Sequence, residues 1–206
     1  MSIIGPNGAG KSTVLRALYG KAIVRSGRIR FQGEDITGLR THGICRRGIA
    51  LAPQGRSVFP YMSVRENLEL GAYIRRDRAA VRTDSMELCR RFPVLNEKQG
   101  MPAGALSGGE QQILELARCL MLRPSMIVMD EPSLGLSPRA VAMVFETLVE
   151  MRATGVTILI VEQNAKQALR ISDRAYVLEL GRNRYEGTGE SLLNNVDVRK
   201  LYLGGR

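Results

Sequence analysis

The chain has 206 residues, of which 44% are hydrophobic and 24% charged, with three cysteines and one histidine. This composition predicts one folded domain and excludes a disordered chain, a disulfide framework and a metal site built from several histidines. The Arg-rich surroundings of His42 predict a surface position for it and not membership of a Ser-His-Asp triad. The net charge of +10 is concentrated in residues 1–60, where ten Lys and Arg accompany two acids. That pattern is compatible with a polyphosphate, nucleic-acid or anionic-membrane partner, and equally with a solvated basic face.

Short apolar runs alternate with helical periods along the chain, which is typical of an α/β protein with a mainly parallel sheet. Strands are predicted at 3–4, 28–32, 49–52, 126–129, 156–161 and 175–180. Helices are predicted at 11–19 and 109–122, from Ser137-Pro138 onward, and near Ser191 and Asp197. Residues 63–115 have helical patterns without a strand, starting at a Ser63–Glu66 capping box. We therefore expect a helical subdomain at 63–115 within a core formed by 1–62 and 116–206.

Residues 5–12 match G-x-x-x-x-G-K-[ST] between the first strand and the first helix. The glycines let successive backbone N–H groups point at phosphate oxygens, and the helix start adds its positive end. Lys11 would reach the β- and γ-phosphates, and the Ser12 hydroxyl would bind Mg²⁺. A chance glycine turn is the alternative, which the strand–loop–helix context disfavours. The predicted ATP-binding residues in this stretch are Gly5, Pro6, Asn7, Gly8, Ala9, Gly10, Lys11, Ser12 and Thr13.

Two further segments carry candidate chemistry. The apolar run 126–129 delivers Asp130 to the carboxyl end of a strand, where it can hold Mg²⁺, while Glu131 can orient and deprotonate a water. A lone Asp-Glu pair is otherwise a helix cap or a surface acid. Residues 106–112 read LSGGEQQ and form a second capped helix start that suits an anion. A well-capped helix is the simpler interpretation of that segment.

The motifs GPNGAGKST, LSGGEQQ and IVMDEP, in this order, resemble the ATP-binding subunits of ABC transporters. GEDITGL, GIALAPQGRSVFP, DEPSLGLSP and VEQNAKQAL are similar to the subgroup that serves branched-chain amino-acid uptake. The resemblance implies a P-loop NTPase fold with an inserted helical subdomain, and ATP hydrolysis with Mg²⁺. It also implies a homo- or heterodimer that works with two membrane permease subunits and a substrate-binding protein. The expected location is the cytoplasmic face of the membrane, and no direct nucleic-acid partner is expected.

The resemblance also assigns roles to residues. Lys11, Glu131 and Gln163 would be catalytic, with Gln163 at the position where the family usually has a switch histidine. Gln54 would contact ATP and Mg²⁺, together with the metal ligands Ser12 and Asp130. The signature residues that would contact the partner protomer's ATP are Ser107, Gly108, Gly109 and Glu110. Ser137 occupies the position of an aspartate in many relatives.

Only residues 1–4 precede the phosphate loop, whereas ABC ATPases carry an N-terminal antiparallel segment with an aromatic residue that stacks on adenine. We therefore expect that segment to be largely missing here and the natural chain to be longer, or the protein to be truncated and weak or inactive. Two other functions stay open from the sequence. A soluble ABC ATPase acting on nucleic acid or ribosomes is compatible with the basic N-terminal third, and a non-hydrolysing nucleotide-binding subunit is compatible with the short front. Among cargoes, urea or short amides are the alternative to branched-chain amino acids.

Overall fold

The computed structural model describes residues 1–55 and 57–203, and this part of the chain contains eight strands and ten α-helices. The strands are β1 (Ser2–Ile4), β2 (Arg30–Phe31), β3 (Glu34–Asp35), β4 (Ile49–Ala52), β5 (Met126–Asp130), β6 (Thr157–Glu162), β7 (Ala175–Glu179) and β8 (Arg182–Gly187). The helices are α1 (Lys11–Leu18), α2 (Thr41–Arg46), α3 (Val64–Gly71), α4 (Arg78–Arg91), α5 (Pro93–Glu97), α6 (Gly108–Leu120), α7 (Pro138–Ala153), α8 (Ala165–Arg170), α9 (Gly189–Asn194) and α10 (Val196–Tyr202). Arg56 and residues 204–206 lie outside the described residues, although the predicted core includes both.

Six strands form one sheet in the order β4-β5-β6-β1-β7-β8, in which β8 alone is antiparallel to its neighbour. β2 and β3 form a separate two-stranded hairpin. The strand register aligns Ile4 of β1 with Glu162 of β6, and Asp130 of β5 with Val161 of β6. Because β1, β5 and β6 are parallel, their carboxyl ends meet at one edge of the sheet, which is where ligands bind in open α/β sheets.

The sheet is covered on both faces, as a parallel sheet requires. Ile4 packs in the larger apolar cluster with residues of α6 and α7, and Ile3 packs in a second cluster that includes Leu15 of α1. β1 is buried along its whole length, so its carboxyl end is held rigidly beneath the loop that follows.

The segment between β4 and β5 is helical. Ser63 caps α3 with the predicted box, in which its hydroxyl accepts from the Glu66 N–H and the Glu66 carboxylate accepts from the Ser63 N–H. An ion-pair network then ties α4 to the chain that follows α6. Asp84 accepts two hydrogen bonds from Arg123 at 2.8 Å and also pairs with Arg75. These contacts hold α4 to the stretch that leads into β5.

Most predicted elements are confirmed, with shifts of no more than two residues at their ends. The strand predicted at 28–32 is wrong in extent, because only Arg30–Phe31 pair, with β3. The predictions missed α2, α8, the short strand β3 and the edge strand β8. His42 is exposed, as predicted. In the described part of the chain, no helix combines the length and apolar character needed to span a bilayer.

Candidate functional site

The loop between β1 and α1 is shaped by three glycines. Gly5, Gly8 and Gly10 have φ values of 152°, 80° and 96°, which L-residues with a side chain rarely adopt. Gly5 lies so close to β7 that a Cβ atom would be 2.2 Å from the Leu178 carbonyl oxygen. The opposite end of the loop is braced by the turn between β7 and β8, where the Gly181 N–H donates to the Ala9 carbonyl at 3.0 Å. The loop is therefore fixed by contacts with β7 as well as by its own sequence.

Helix α1 begins at Lys11 directly after the loop. Its N-cap is Gly10, which has no side chain to accept a hydrogen bond from the first turn. The first N–H groups of α1 consequently stay available to an anion, which the positive end of the helix favours. Pro6, Asn7, Gly8 and Thr13 are exposed around this opening.

Lys11 is folded into the loop and is only 4% exposed. Its ammonium donates to the carbonyls of Gly5 at 2.8 Å and Pro6 at 3.2 Å, and lies 3.8 Å from the Glu131 carboxylate. These contacts are weak enough for a triphosphate to replace, because phosphate oxygens are stronger acceptors for an ammonium than backbone carbonyls.

Asp130 lies at the carboxyl end of β5, facing the start of α1. The Ser12 hydroxyl donates to its Oδ1 at 3.4 Å. Burial, and then the nearby Glu131 charge, raise the pKa of the Asp130 carboxyl. Two carboxylates beside one lysine leave this corner short of positive charge, so a cation would stabilise it.

The donor set fits Mg²⁺. One hydroxyl and one carboxylate are hard oxygen ligands, and Mg²⁺ usually takes one or two of these plus substrate phosphates and water. Within residues 1–55 and 57–203, no group of three or more His, Cys, Asp or Glu side chains that could hold a metal occurs.

Glu131 takes a different direction from Asp130 because its backbone is left-handed, with φ of 49°. Its N–H donates to the Val161 carbonyl at 2.8 Å, which joins this turn to β6. Its carboxylate is held between Lys11 and Gln54, whose Nε2 donates to Oε2 at 3.1 Å. A side chain in this strained region is uncommon and is concentrated at functional sites.

Gln163 follows β6 at the same sheet edge and is exposed. It is the residue after Glu162, which lies opposite the last residue of β1. Glu162 itself is buried and accepts hydrogen bonds from Ser133 and Asn164. Burial raises the pKa of the Glu162 carboxyl, and the Ser133 hydrogen bonds oppose this rise. Sequence reasoning did not assign Glu162 a role, although it lies in the VEQNAKQAL stretch beside Gln163.

The segment 107–110 forms a second capped helix start. The Ser107 hydroxyl accepts from the Glu110 N–H, and the Glu110 carboxylate accepts from the Ser107 N–H at 2.9 Å. Lys98 pairs with Glu110 at 2.7 Å, and that contact lowers the pKa of Glu110. A Cβ on Gly109 would be 2.8 Å from the Ala140 Cβ, so this glycine permits close packing of α6 on α7.

The structure thus brings together three distant stretches of the chain, which carry Lys11, Ser12, Gln54, Asp130 and Glu131. Gln163 lies at the same edge without a side-chain hydrogen bond in the described residues. The segment 107–110 has no hydrogen bond or ion pair to the loop at 5–13 among those residues. A phosphate loop and an acidic pair on a parallel sheet of this order define a P-loop ATPase.

Comparison with known proteins identifies the kind of ATPase. The family described as ABC transporter matches residues 1–134, and the chain belongs to this family. A high-affinity branched-chain amino acid transport ATP-binding protein, BraG of Pseudomonas aeruginosa, is 47% identical over 205 residues, which cover 100% of this chain and 88% of that protein. A probable branched-chain amino acid transport ATP-binding protein, LivF of Archaeoglobus fulgidus, is 39% identical and covers 98% of this chain and 86% of its own length.

Transporters of another kind also match. The lipopolysaccharide export system ATP-binding protein LptB of Haemophilus influenzae is 34% identical, over 99% of this chain and 85% of that protein. Among solved structures, the ADP conformation of an ATP-binding cassette of an ABC transporter superposes with a TM-score of 0.83 at 30% identity. The alignment covers 98% of this chain and 87% of that one. The chain is therefore a nucleotide-binding ATPase subunit of the ABC class.

Proposed function

We propose that this chain hydrolyses ATP and thereby drives an importer of branched-chain or related amino acids, whose membrane permease subunits it binds. The observation that carries the ATPase half is the convergence of Lys11, Asp130, Glu131 and Gln54 at one sheet edge beside the glycine loop. The cargo is supported by the identity to two proteins named for branched-chain amino acid transport, which exceeds that to LptB. The cargo itself would contact the permeases and not this chain.

The residues present suggest a division of labour. The loop N–H groups and Lys11 would bind the β- and γ-phosphates, with Lys11 leaving the Gly5 and Pro6 carbonyls to do so. Ser12 and Asp130 would hold Mg²⁺, which supplies charge neutralisation at the phosphates. Glu131 would orient the attacking water and accept its proton. Gln54, which donates to Glu131 here, would position the carboxylate and sense the metal.

A second protomer would complete the site. The Ser107 hydroxyl is exposed and accepts from Glu110, so its own proton is free to bind a phosphate. Within one protomer, nothing in the described structure links segment 107–110 to the loop at 5–13. A head-to-tail dimer, in which each 107–110 segment caps the partner's nucleotide, would use both anion-binding helix starts at once.

A cleft of about 510 Å³ offers a docking place for a permease segment. It lies between α2 and the end of α3, beside Phe59 in the segment that follows Gln54. Leu70, Phe59 and Tyr73 line it and are 37%, 47% and 65% exposed, and Lys21 adds positive charge. This lining fits a short amphipathic helix with an acidic residue, in keeping with the basic N-terminal third. Such a helix would contact Pro53 and Phe59, which lie on either side of Gln54 in the chain, and this would link docking to hydrolysis.

The test is ATPase measurement with and without the cognate permeases in liposomes, on the chain and on its Glu131→Gln variant. We expect hydrolysis that the permeases stimulate, and amino-acid uptake that depends on ATP. Glu131→Gln should abolish turnover while retaining ATP in a dimer, because the amide keeps the shape of the carboxylate but cannot accept the proton. Tyr73→Ala should keep basal hydrolysis and lose the stimulation.

The outcomes separate the alternatives. Unchanged turnover in Glu131→Gln would contradict the hydrolytic mechanism. Hydrolysis that responds to a lipid-exporting permease and not to an amino-acid permease would contradict the cargo. Salt-sensitive nucleic-acid binding at physiological ionic strength would instead favour a soluble ABC ATPase.

A further inference from the structure

A buried carboxylate joins the two turns that carry the proposed catalytic side chains. Glu162 ends β6 and is 1% exposed. Its Oε1 accepts the Ser133 N–H at 2.9 Å, while its Oε2 accepts the Ser133 hydroxyl at 2.9 Å and the Asn164 N–H at 3.2 Å. Ser133 lies two residues after Glu131, and Asn164 directly follows Gln163. One rigid group is therefore bonded to both turns.

The fold alone does not call for a charge at this position. The four residues of β6 before Glu162, at 158–161, are apolar and buried, and an ionised carboxylate in the interior costs free energy unless donors compensate it. Here three donors compensate it, and two of them are backbone N–H groups of the site turns. In the strand register Glu162 pairs with Ile4, the residue directly before the glycine loop. Both of its oxygens are occupied and buried, so it is not placed to act on substrate.

We propose that Glu162 is a positioning residue that fixes the turn carrying Gln163 relative to the turn that follows Glu131. This inference rests on the proposed function, because positioning matters only if Glu131 and Gln163 act on the same ATP. Glu131 and Gln163 directly follow the neighbouring strands β5 and β6, whose pairing ends at Asp130 and Val161. Beyond that pair the Glu131 N–H still donates to the Val161 carbonyl. Glu162 then connects the turn after β5 to the turn after β6, through Ser133 and Asn164.

Glu162→Gln distinguishes the two connections of this carboxylate, one to Ser133 and one to Asn164. An amide has one acceptor oxygen and one donor nitrogen, whereas backbone N–H groups face both oxygens of Glu162. The least costly placement puts the amide nitrogen at the Oε2 position, because the Ser133 hydroxyl can turn and accept from it. The Ser133 N–H bond then survives and the longer Asn164 bond is lost. The variant thus releases the Gln163 turn while the Glu131 side stays attached.

Two measurements on the full chain test this. Steady-state kinetics should show kcat reduced roughly 10- to 100-fold with the KM for ATP nearly unchanged, since small misplacements of reacting groups cost rates of this order. In the Gln163→Ala background the same substitution should reduce kcat less than about twofold further, because a residue that acts through Gln163 has nothing left to position. Hydrogen exchange without nucleotide should rise at 163–167 more than at 131–137.

The controls keep the outcome decisive. Thr147→Val removes one buried hydrogen bond inside α7, so it should lower stability without changing kcat. If Glu162→Gln does not fold, Ser133→Ala removes only the hydrogen bond from the Ser133 hydroxyl to Glu162 and should lower kcat several-fold. Fully additive losses with Gln163→Ala, or unchanged exchange at 163–167, would overturn the inference. If the wild-type chain hydrolyses no ATP, the proposed function fails, and the exchange measurement still decides whether Glu162 holds the turn.

Discussion

Gly5 provides a sharp test of how the phosphate loop is held. A Cβ at this position would be 2.2 Å from the Leu178 carbonyl oxygen, about 0.8 Å closer than the 3.0 Å below which real contacts essentially do not occur. Overpacking of this kind costs about 1–3 kcal/mol. The φ of 152° adds a further cost of about 1–3 kcal/mol for any residue other than glycine. We therefore expect Gly5→Ala to lower the free energy of unfolding by about 2–6 kcal/mol.

Gly8→Ala is the matched control in the same loop. Gly8 also has a positive φ, of 80°, but a Cβ there would meet nothing within 4 Å. It should cost only about 1–2 kcal/mol, from the backbone conformation alone. Urea unfolding monitored by circular dichroism gives both values, and equal m-values would show that the unfolded states are comparable.

ATP affinity should fall more in Gly5→Ala than in Gly8→Ala, as stability does. A carbonyl displaced by the new methyl group moves the loop N–H groups away from the phosphates, so Gly5→Ala should also lower ATP affinity by isothermal titration calorimetry. A Gly5→Ala protein as stable as Gly8→Ala would refute the idea that β7 fixes the loop through this contact.

Two further predictions concern pH. Gln163 cannot ionise, so the ATPase rate between about pH 5.5 and 8 should lack the rise that a switch histidine would give near its usual pKa of about 6.5. Gln163→His should introduce such a pH dependence. A wild-type rate that already changes in this range would contradict the role of Gln163. The second concerns Asp84, whose pKa is lowered first by Arg123 and then by Arg75. Its contribution to stability is present above the unfolded pKa of about 3.9 and is lost as pH falls through the lower folded value, so the stability difference between wild type and Asp84→Asn should shrink below about pH 4 in urea titrations. A difference that stays constant down to pH 3 would show that the ion pairs do not stabilise the fold.

The elements that the sequence predicted well share a strong local signal. Ser63 and Ser107 each precede a helix and stand three residues before a glutamate, and both capping boxes are present in the structure. β4 and β5 are continuous apolar runs, as buried parallel strands should be.

The missed elements lack such signals for physical reasons. β8 reads RNRYEG, with five polar or glycine residues and an exposed face, because an edge strand needs only one buried neighbour. α2 and α8 are six residues long, and a helix that short is stabilised by its packing and not by its own sequence.

The nucleotide loop could be identified from sequence because its residues are consecutive. Glycine freedom, the helix start and the Lys11 ammonium are all properties of one short stretch, so no tertiary information is required to expect an anion there. The assignment of Asp130 and Glu131 was also local, since an apolar strand ending in two acids indicates the carboxyl edge of a sheet.

The relations among distant residues depended on the tertiary structure. Lys11, Gln54 and Glu131 meet only because β1, β4 and β5, which they follow, lie in the order β4-β5-β6-β1, and no single segment of the sequence shows that order. The same order places Glu162 between two turns that the sequence separates by about 30 residues. The sequence by itself determined the chemistry of each stretch. The order in which the parallel strands pair in the sheet decided which of these groups lie within hydrogen-bonding distance of one another.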